Sequence, residues 1–130
     1  MDDIFNLENV IFKSELVEQE RDRIRYESLK TKLFCVYVLI HNNAPYYVGV
    51  SSDITKRIKD HLKCKIKRSH YKLYSFMNDN SIDDIDYYII DDNISFDDVE
   101  FWETHYINLY KYYGFNLMNV SSIGGRGITH

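Results

Sequence analysis

A continuously apolar segment, residues 33–40, constrains the fold of this chain more than any other feature. It is rich in β-branched and aromatic residues, and a run of this kind predicts a strand buried on both faces of a sheet. Residues 41–44 supply a turn, and a second apolar run over residues 46–50 returns after Pro45. We therefore expect a core built around an antiparallel hairpin.

The predicted hairpin fixes the relation between two tyrosines. A tight turn centred near Asn42 would place Tyr37 directly opposite Tyr47. Directly opposed residues share one face of a sheet, so the two phenol rings are expected side by side. A slip of one residue in the register would destroy this pairing.

A helix is predicted after the hairpin, with Ser52 or Asp53 as its N-cap. Its core-facing side chains recur every four residues: Ile54, Ile58 and Leu62. Arg57 and His61 form a second pair with the same spacing on an adjacent face. Residues four apart are neighbours on a helix surface, so this guanidinium and this imidazole can address one target together.

Three further elements complete the predicted pattern: a helix over residues 69–77, a strand over residues 85–90 and a long helix over residues 96–113. Ser95 and Asp98 are placed to begin the long helix as a capping box. The apolar face of that helix is predicted from six residues: Val99, Trp102, Tyr106, Leu109, Tyr110 and Tyr113.

Glu103 lies within the predicted apolar face of the long helix. An unpaired buried charge is so costly that this carboxylate should be neutralised, ion-paired or bound to a metal. A position at the edge of the face, with the carboxylate in solvent, would avoid the cost, and so would an ion pair with Arg57. The residues alone leave these alternatives open.

The N-terminal part of the chain has a different composition. Residues 15–32 are dense in alternating charges and good helix formers, with Ser14 as a plausible N-cap. The apolar stripe of this helix is narrow, so it is expected to pack lightly or to serve as an arm or linker. We predict a helical arm over residues 1–32, available to a homodimer or a partner protein, and one compact domain over residues 33–130.

The fold class expected for that domain is α+β (α/β): a small antiparallel three-stranded β-sheet flanked by helices, with the extra helix at the N-terminus. No segment approaches the roughly 20 apolar residues of a membrane span, and the N-terminus lacks the apolar region of a secretion signal. Cys35 and Cys64 lie far apart without metal-type spacing. These features predict no membrane association and a reducing, cytoplasmic location.

Charge is segregated along the chain. The formal net charge of −4 argues, as an average, against binding to phosphates. Between Lys56 and Lys72, however, the only acid among the basic residues is Asp60, whereas residues 73–110 contain no Lys or Arg. Such a molecule can turn one basic surface towards a nucleic acid. A solvated helix face followed by an acidic loop would give the same pattern, so charge alone leaves both interpretations open.

The order and spacing of several motifs resemble the GIY-YIG nuclease family over roughly residues 34–127. The segments that carry the resemblance are Cys35-Val36-Tyr37, Tyr47-Val48-Gly49, Arg57 with His61, Glu103, and Asn119 followed by Gly124-Gly125-Arg126-Gly127. Three positions depart from the name of the family, since Cys35 replaces its first glycine and Val36 and Val48 replace its isoleucines. These are packing positions in strands, so the changes leave the expected chemistry intact.

The resemblance implies a DNA endonuclease that depends on Mg²⁺ or Mn²⁺. The catalytic residues it implies are Tyr37, Tyr47, Arg57, His61, Glu103 and Asn119, with a single metal held by Glu103. Tyr37 would be the general base, and His61 could accept its proton. Because a tyrosine ordinarily titrates near pH ~10, this role requires neighbouring cations.

Contacts to DNA are expected from the basic segment and from the C-terminal tail: Lys56, Lys59, Lys63, Lys65, Lys67, Arg68, His70 and Arg126. His70 falls where homing-type members of the family place a second histidine, although an exposed helical histidine is the plainer interpretation. Two alternative functions stay open. One is a non-catalytic module that binds nucleic acid or protein, and the other is a catalytic fragment of a larger homing, restriction or repair nuclease.

Overall fold

The computed structural model describes the backbone of residues 2–120 and the side chains of residues 16–120. Arg126 and its glycine-rich run lie outside these residues, so the contact predicted there stays a prediction. The chain divides into two compact units, with the boundary between Lys32 and Leu33.

The first unit contains helix α1, Asp2–Lys30. This helix begins well before residue 15, so the N-cap predicted at Ser14 is wrong: Ser14 lies inside the helix. No glycine or proline interrupts residues 2–32, and nothing in the local sequence stops a helix there. Leu16, Val17 and Ile24 are about half exposed, in agreement with the narrow apolar stripe.

The second unit is built on a three-stranded antiparallel sheet. Its strands are β1 (Leu33–His41), β2 (Ala44–Ser51) and β3 (Asp86–Ser95), in the spatial order β2-β1-β3. The predicted α+β class is therefore confirmed. β1 is central and its residues 34–39 are buried, as the continuous apolar run predicts.

The register of the hairpin differs from the prediction, because Tyr37 pairs with Gly49 rather than with Tyr47. The turn consists of Asn42 and Asn43, whose positive φ angles of 51° and 63° are typical of a two-residue hairpin turn. A β-bulge then adds one residue to β2. Together, the position of the turn and the bulge move the residue opposite Tyr37 by two positions, from Tyr47 to Gly49. Side chains alternate between the faces of a sheet, so after this even shift Tyr37 and Tyr47 still share one face.

Three helices accompany the sheet: α2 (Ile54–Lys67), α3 (Lys72–Asp79) and α4 (Phe96–Tyr112). The Asp53 side chain accepts a hydrogen bond from the Lys56 backbone N–H at 3.2 Å, so the N-cap predicted for α2 is confirmed. The predicted helix over residues 69–77 lies about three residues too early, and the predicted strand over residues 85–90 ends too soon, since β3 continues to Ser95.

The start of α4 agrees only in part with the predicted capping box. The helix begins after Ser95 as predicted, but the Ser95 hydroxyl donates to the Asp98 carboxylate at 3.1 Å and caps no backbone N–H. The apolar face also differs, because Tyr113 is 68% exposed whereas Ile107 is buried. The buried stripe of α4 follows a strict spacing of four residues: Val99, Glu103 and Ile107.

The two faces of the sheet are covered by different helices. On one face, Tyr37 and Leu39 share a hydrophobic cluster with Leu73 and Met77 of α3, and the stripe predicted for α2 packs against this cluster. The alternate residues of β1 point to the other face, where Phe34 contacts Phe96 at the start of α4 with ring centroids 6.1 Å apart. The predicted arrangement of helices flanking a small sheet is thus confirmed.

Candidate active site

The Tyr37 hydroxyl is the centre of a buried polar network. It lies 2.7 Å from Nε2 of His61, and it accepts a hydrogen bond from Nε of Arg57 at 3.3 Å. The spacing of four residues on α2 brings both groups to one oxygen atom, as predicted for an i, i+4 pair. The Tyr37 side chain has no exposed surface.

Gly49 makes room for the Tyr37 ring. A Cβ atom at position 49 would come within 2.5 Å of Cζ and of the hydroxyl oxygen of Tyr37. Such contacts are far inside van der Waals distance, so any side chain at this position would displace the phenol. The glycine of the second motif therefore has a steric role that depends on the observed register.

Tyr47 lies beside the same network. Its ring centroid is 6.4 Å from that of Tyr37 and 5.6 Å from that of His61, and its side chain is buried. Burial raises the pKa of Tyr47, the Arg57 guanidinium opposes this effect, and Glu103 adds to it. Tyr37 on β1 and Tyr47 on β2 are thus neighbours on one face of the sheet, as predicted.

Burial, more than charge, controls the ionisation of Tyr37 and His61. It raises the pKa of Tyr37 well above 10, with Tyr47 adding to the effect and Arg57 opposing it. It lowers the pKa of His61 from 6.5 to about 3, and the Arg57 charge contributes. Near neutral pH the phenol is therefore protonated and the imidazole is neutral.

Tyr74 is a member of the network that sequence reasoning missed. Its hydroxyl lies 2.9 Å from Nδ1 of His61, and its side chain is buried on α3. No motif points to it, because its partner is 13 residues away on another helix. An apolar face of α3 containing one tyrosine would have been the only sequence signal.

Glu103 is buried, with 3% of its surface exposed. Burial raises the pKa of its carboxyl from 4.5 to about 8; Glu100 adds to this effect and Arg57 opposes it. Neither a hydrogen bond nor an ion pair joins the carboxylate to any other residue whose side chain is described. Glu103 and Tyr47 are close enough for their charges to interact.

Asn119 binds the backbone of β2 at two points. Its Oδ1 accepts from the Val48 N–H at 3.1 Å, and its Nδ2 donates to the Val48 carbonyl at 2.8 Å. One residue earlier, the Met118 N–H donates to the Tyr46 carbonyl. This segment pairs with the outer edge of β2, so Asn119 supports the strand that carries Tyr47 and Gly49.

The predicted basic residues differ in their surroundings. Six of them are exposed: Lys56, Lys59, Lys63, Lys67, Arg68 and His70. Lys65 is buried instead, because its ammonium donates to the Ile82 carbonyl and pairs with the Asp83 carboxylate at 3.1 Å. Lys65 joins α2 to the loop after α3 and does not contribute to an exposed basic surface.

A scan against protein-family models found one that matches residues 33–117, the GIY-YIG catalytic domain. The chain belongs to the GIY-YIG family. The match contains both strand motifs and Glu103, and it ends two residues before Asn119. A search of curated proteins found no match, and neither did a search of solved structures.

Membership of the GIY-YIG family makes this a nuclease-type domain. Among the described side chains, no group of three or more His, Cys, Asp and Glu residues is arranged to hold a metal ion. Among the predicted catalytic residues, Glu103 is the one whose carboxylate could hold a metal ion. Within residues 2–120, no helix is both long enough and apolar enough to cross a membrane.

Proposed function

We propose that this GIY-YIG domain is a DNA endonuclease that depends on Mg²⁺ or Mn²⁺ and hydrolyses phosphodiester bonds. The observation that carries the proposal is a buried acid and a neighbouring cation whose charges interact. Glu103 is a buried acid without a partner among the described side chains, and Arg57 is a cation fixed at the hydroxyl of Tyr37. A phosphate with a divalent cation complements both groups.

The character of Glu103 supports a metal ligand. Burial disfavours its ionised form, so a bound cation would stabilise the carboxylate there. Mg²⁺ usually takes only one or two carboxylates from a protein and keeps several water molecules, which suits a site with a single acid. When bound, the metal would supply charge neutralisation at the phosphate and at the departing oxygen.

The side chains of α2 and the hairpin account for the remaining steps. The Arg57 guanidinium would bind a non-bridging phosphate oxygen as negative charge develops. Tyr47 would orient the phosphate or the attacking water. Tyr37 would accept a proton from this water at its hydroxyl oxygen while its own proton moves to Nε2 of His61.

Substrate binding helps this proton transfer. In the free protein burial lowers the pKa of His61, and the Arg57 charge lowers it further. A phosphate bound to Arg57 offsets that positive charge and places negative charge nearby, so both changes raise the pKa of the imidazole. Phosphate binding would therefore make His61 a better acceptor for the Tyr37 proton.

DNA is the proposed substrate because exposed cations lie along α2, the helix that carries Arg57 and His61. Lys59 and Lys63 lie on that helix with Lys56 and Lys67, and a row of cations can bind successive phosphates without reading the bases. Helix α1 is a candidate surface for a second copy or a partner protein, since a domain with one metal site cuts one strand at a time.

Cleavage of plasmid DNA tests the proposal. Wild-type protein should convert supercoiled DNA with Mg²⁺ and fail with a chelator, and Glu103→Ala and Arg57→Ala should each lose at least about a hundredfold in rate. Asp97→Asn is the matched control, because Asp97 is an exposed acid on the same helix. Cleavage that survives both alanine variants, or DNA binding by wild type without any cleavage, would contradict the proposed function.

A further inference from the structure

Tyr74 stands at the far side of His61 from the proposed reaction. Its hydroxyl contacts Nδ1 of the imidazole, whereas Nε2 contacts Tyr37. His61 has no exposed surface and Tyr74 has 5%, so bulk water does not compete for these hydrogen bonds. The identity of each donor can therefore be worked out from the groups themselves.

The proton positions follow from Arg57. A guanidinium can only donate, so the Tyr37 oxygen accepts from its Nε–H. The Tyr37 hydroxyl still has one proton to donate, and Nε2 of His61 is the acceptor at 2.7 Å. A neutral imidazole carries one proton, which must then be on Nδ1 and be donated to the Tyr74 oxygen.

We propose that Tyr74 is a positioning residue that holds His61 in the tautomer protonated on Nδ1, with Nε2 free to accept the Tyr37 proton. This inference rests on the proposed function. In the other tautomer Nε2 would carry the proton, and His61 would donate to Tyr37 rather than accept from it. The Tyr74 hydroxyl also fixes the plane of the ring, in the way that outer partners orient functional imidazoles elsewhere.

The position of Tyr74 is itself well determined. The Tyr71 ring stacks against it from the exposed side, with centroids 6.3 Å apart and planes inclined by 26°. Helix α3 is tied to α2 by the Asn78 side chain, which donates to the Lys65 carbonyl at 2.9 Å. The Lys65 ammonium holds the chain after α3 at the Ile82 carbonyl. These contacts join α3, and with it Tyr74, to α2, the helix that carries His61.

The test is Tyr74→Phe, which removes one oxygen atom and keeps the ring. Nitrogen-15 NMR of labelled histidine should show His61 protonated on Nδ1 in the wild type and a mixed or reversed tautomer in the variant. Single-turnover cleavage at saturating DNA should slow by roughly tenfold to a hundredfold without a change in KM. Tyr46→Phe is the matched control, because the buried Tyr46 hydroxyl has no hydrogen-bond partner among the described residues.

The two readouts separate the outcomes. The tautomer is measured without substrate, so a wild-type His61 protonated on Nε2 would overturn the role of Tyr74 whether or not the protein cuts DNA. An unchanged tautomer and an unchanged rate in a folded Tyr74→Phe protein would also overturn it. Absence of cleavage by the wild type, with the Nδ1 tautomer present and lost in the variant, would support the positioning of His61 and contradict only the nuclease proposal.

Discussion

The Tyr37 hydroxyl reaches both Arg57 and His61 across a position that has no side chain. Gly49 is directly opposite Tyr37 on β2, and the phenol lies over its Cα. The φ angle of Gly49 is not in the left-handed region, so the constraint comes from the neighbouring ring and not from the backbone. The glycine in the second motif is therefore explained by the tyrosine in the first.

Gly49→Ala should displace the Tyr37 ring from the network. The new methyl group overpacks the site, and we expect a loss of about 1–3 kcal/mol in the free energy of unfolding and a fall of at least about a hundredfold in cleavage rate. Gly114→Ala is the control, because Gly114 has a positive φ of 89° and open space around it. That variant should lose stability through backbone strain and keep its rate, as urea unfolding and plasmid cleavage would show; equal rates in both variants would contradict the steric role.

In the metal-free protein, two buried groups make the free energy of unfolding depend on pH, and their effects have opposite signs. Glu103 has a pKa of about 8 in the folded protein against 4.5 ordinarily, so its contribution to stability is lost as the pH rises through this range. His61 has a pKa of about 3 against 6.5, so its contribution is lost as the pH falls. Between pH 4.5 and 6.5 the effects of Glu103 and His61 on the free energy of unfolding offset each other. Above pH 6.5, of these two groups, the effect of Glu103 remains.

We expect the wild-type free energy of unfolding to fall relative to that of Glu103→Gln by about 2 kcal/mol between pH 6.5 and 8, since each pH unit corresponds to about 1.4 kcal/mol. Urea unfolding with a chelator at several pH values measures this difference. Addition of Mg²⁺ at pH 8 should restore the wild type and leave the glutamine variant unchanged. Parallel pH profiles for the two proteins would show that Glu103 ionises normally in the fold.

Between elements, the hairpin shows which parts of the fold the local sequence determines. The apolar runs and the turn predicted both strands, and the shared face of Tyr37 and Tyr47 was predicted correctly. The register was not, because the turn is centred between Asn42 and Asn43 rather than at Asn42, and because a bulged residue in β2 has no local signature; each moves the pairing by one residue. The face was retained because the shift is even.

Helix α4 shows the same limit for the candidate site. The sequence placed Glu103 within the apolar face, and burial confirms that position. Val99 is buried as predicted, but Tyr113 was wrongly included and Ile107 was missed, because exposed aromatic side chains such as Phe101 dilute the periodic signal. Tyr74 was missed for a related reason: its hydrogen bond links two helices, and no pattern within one element reports a contact of that kind.

The segment after α4 pairs with the edge of β2 through Asn119, and a substitution can test whether this contact supports the strand. Asn119→Ala removes two hydrogen bonds to the Val48 backbone, and we expect a loss of about 1–3 kcal/mol in stability together with a slower cleavage rate. Asn116→Ala is the matched control, because Asn116 is exposed on the same segment. Hydrogen exchange at the Val48 amide should accelerate in the first variant alone; protection equal to the wild type would refute the support of β2 by Asn119.

Over the whole molecule, the separation of charge determines how an acidic protein approaches DNA. The net charge of −4 repels a polyanion at long range, whereas the exposed cations of α2 attract it at one surface. Salt weakens both effects, but release of counterions depends only on the cations that contact phosphates. The salt dependence of binding therefore reports which lysines lie in the interface.

DNA binding can be measured without divalent metal at several salt concentrations. Lys63→Gln should reduce the magnitude of the slope of log binding constant against log salt concentration by about 0.9, the value for one phosphate contact. Lys111→Gln is the control on α4, where an exposed lysine lies outside the basic segment. Lys65→Met should lower stability and leave the slope unchanged, because its ammonium is already paired with Ile82 and Asp83. A slope that responds equally to positions 63 and 111 would mean that DNA is attracted by overall charge and is not held along α2.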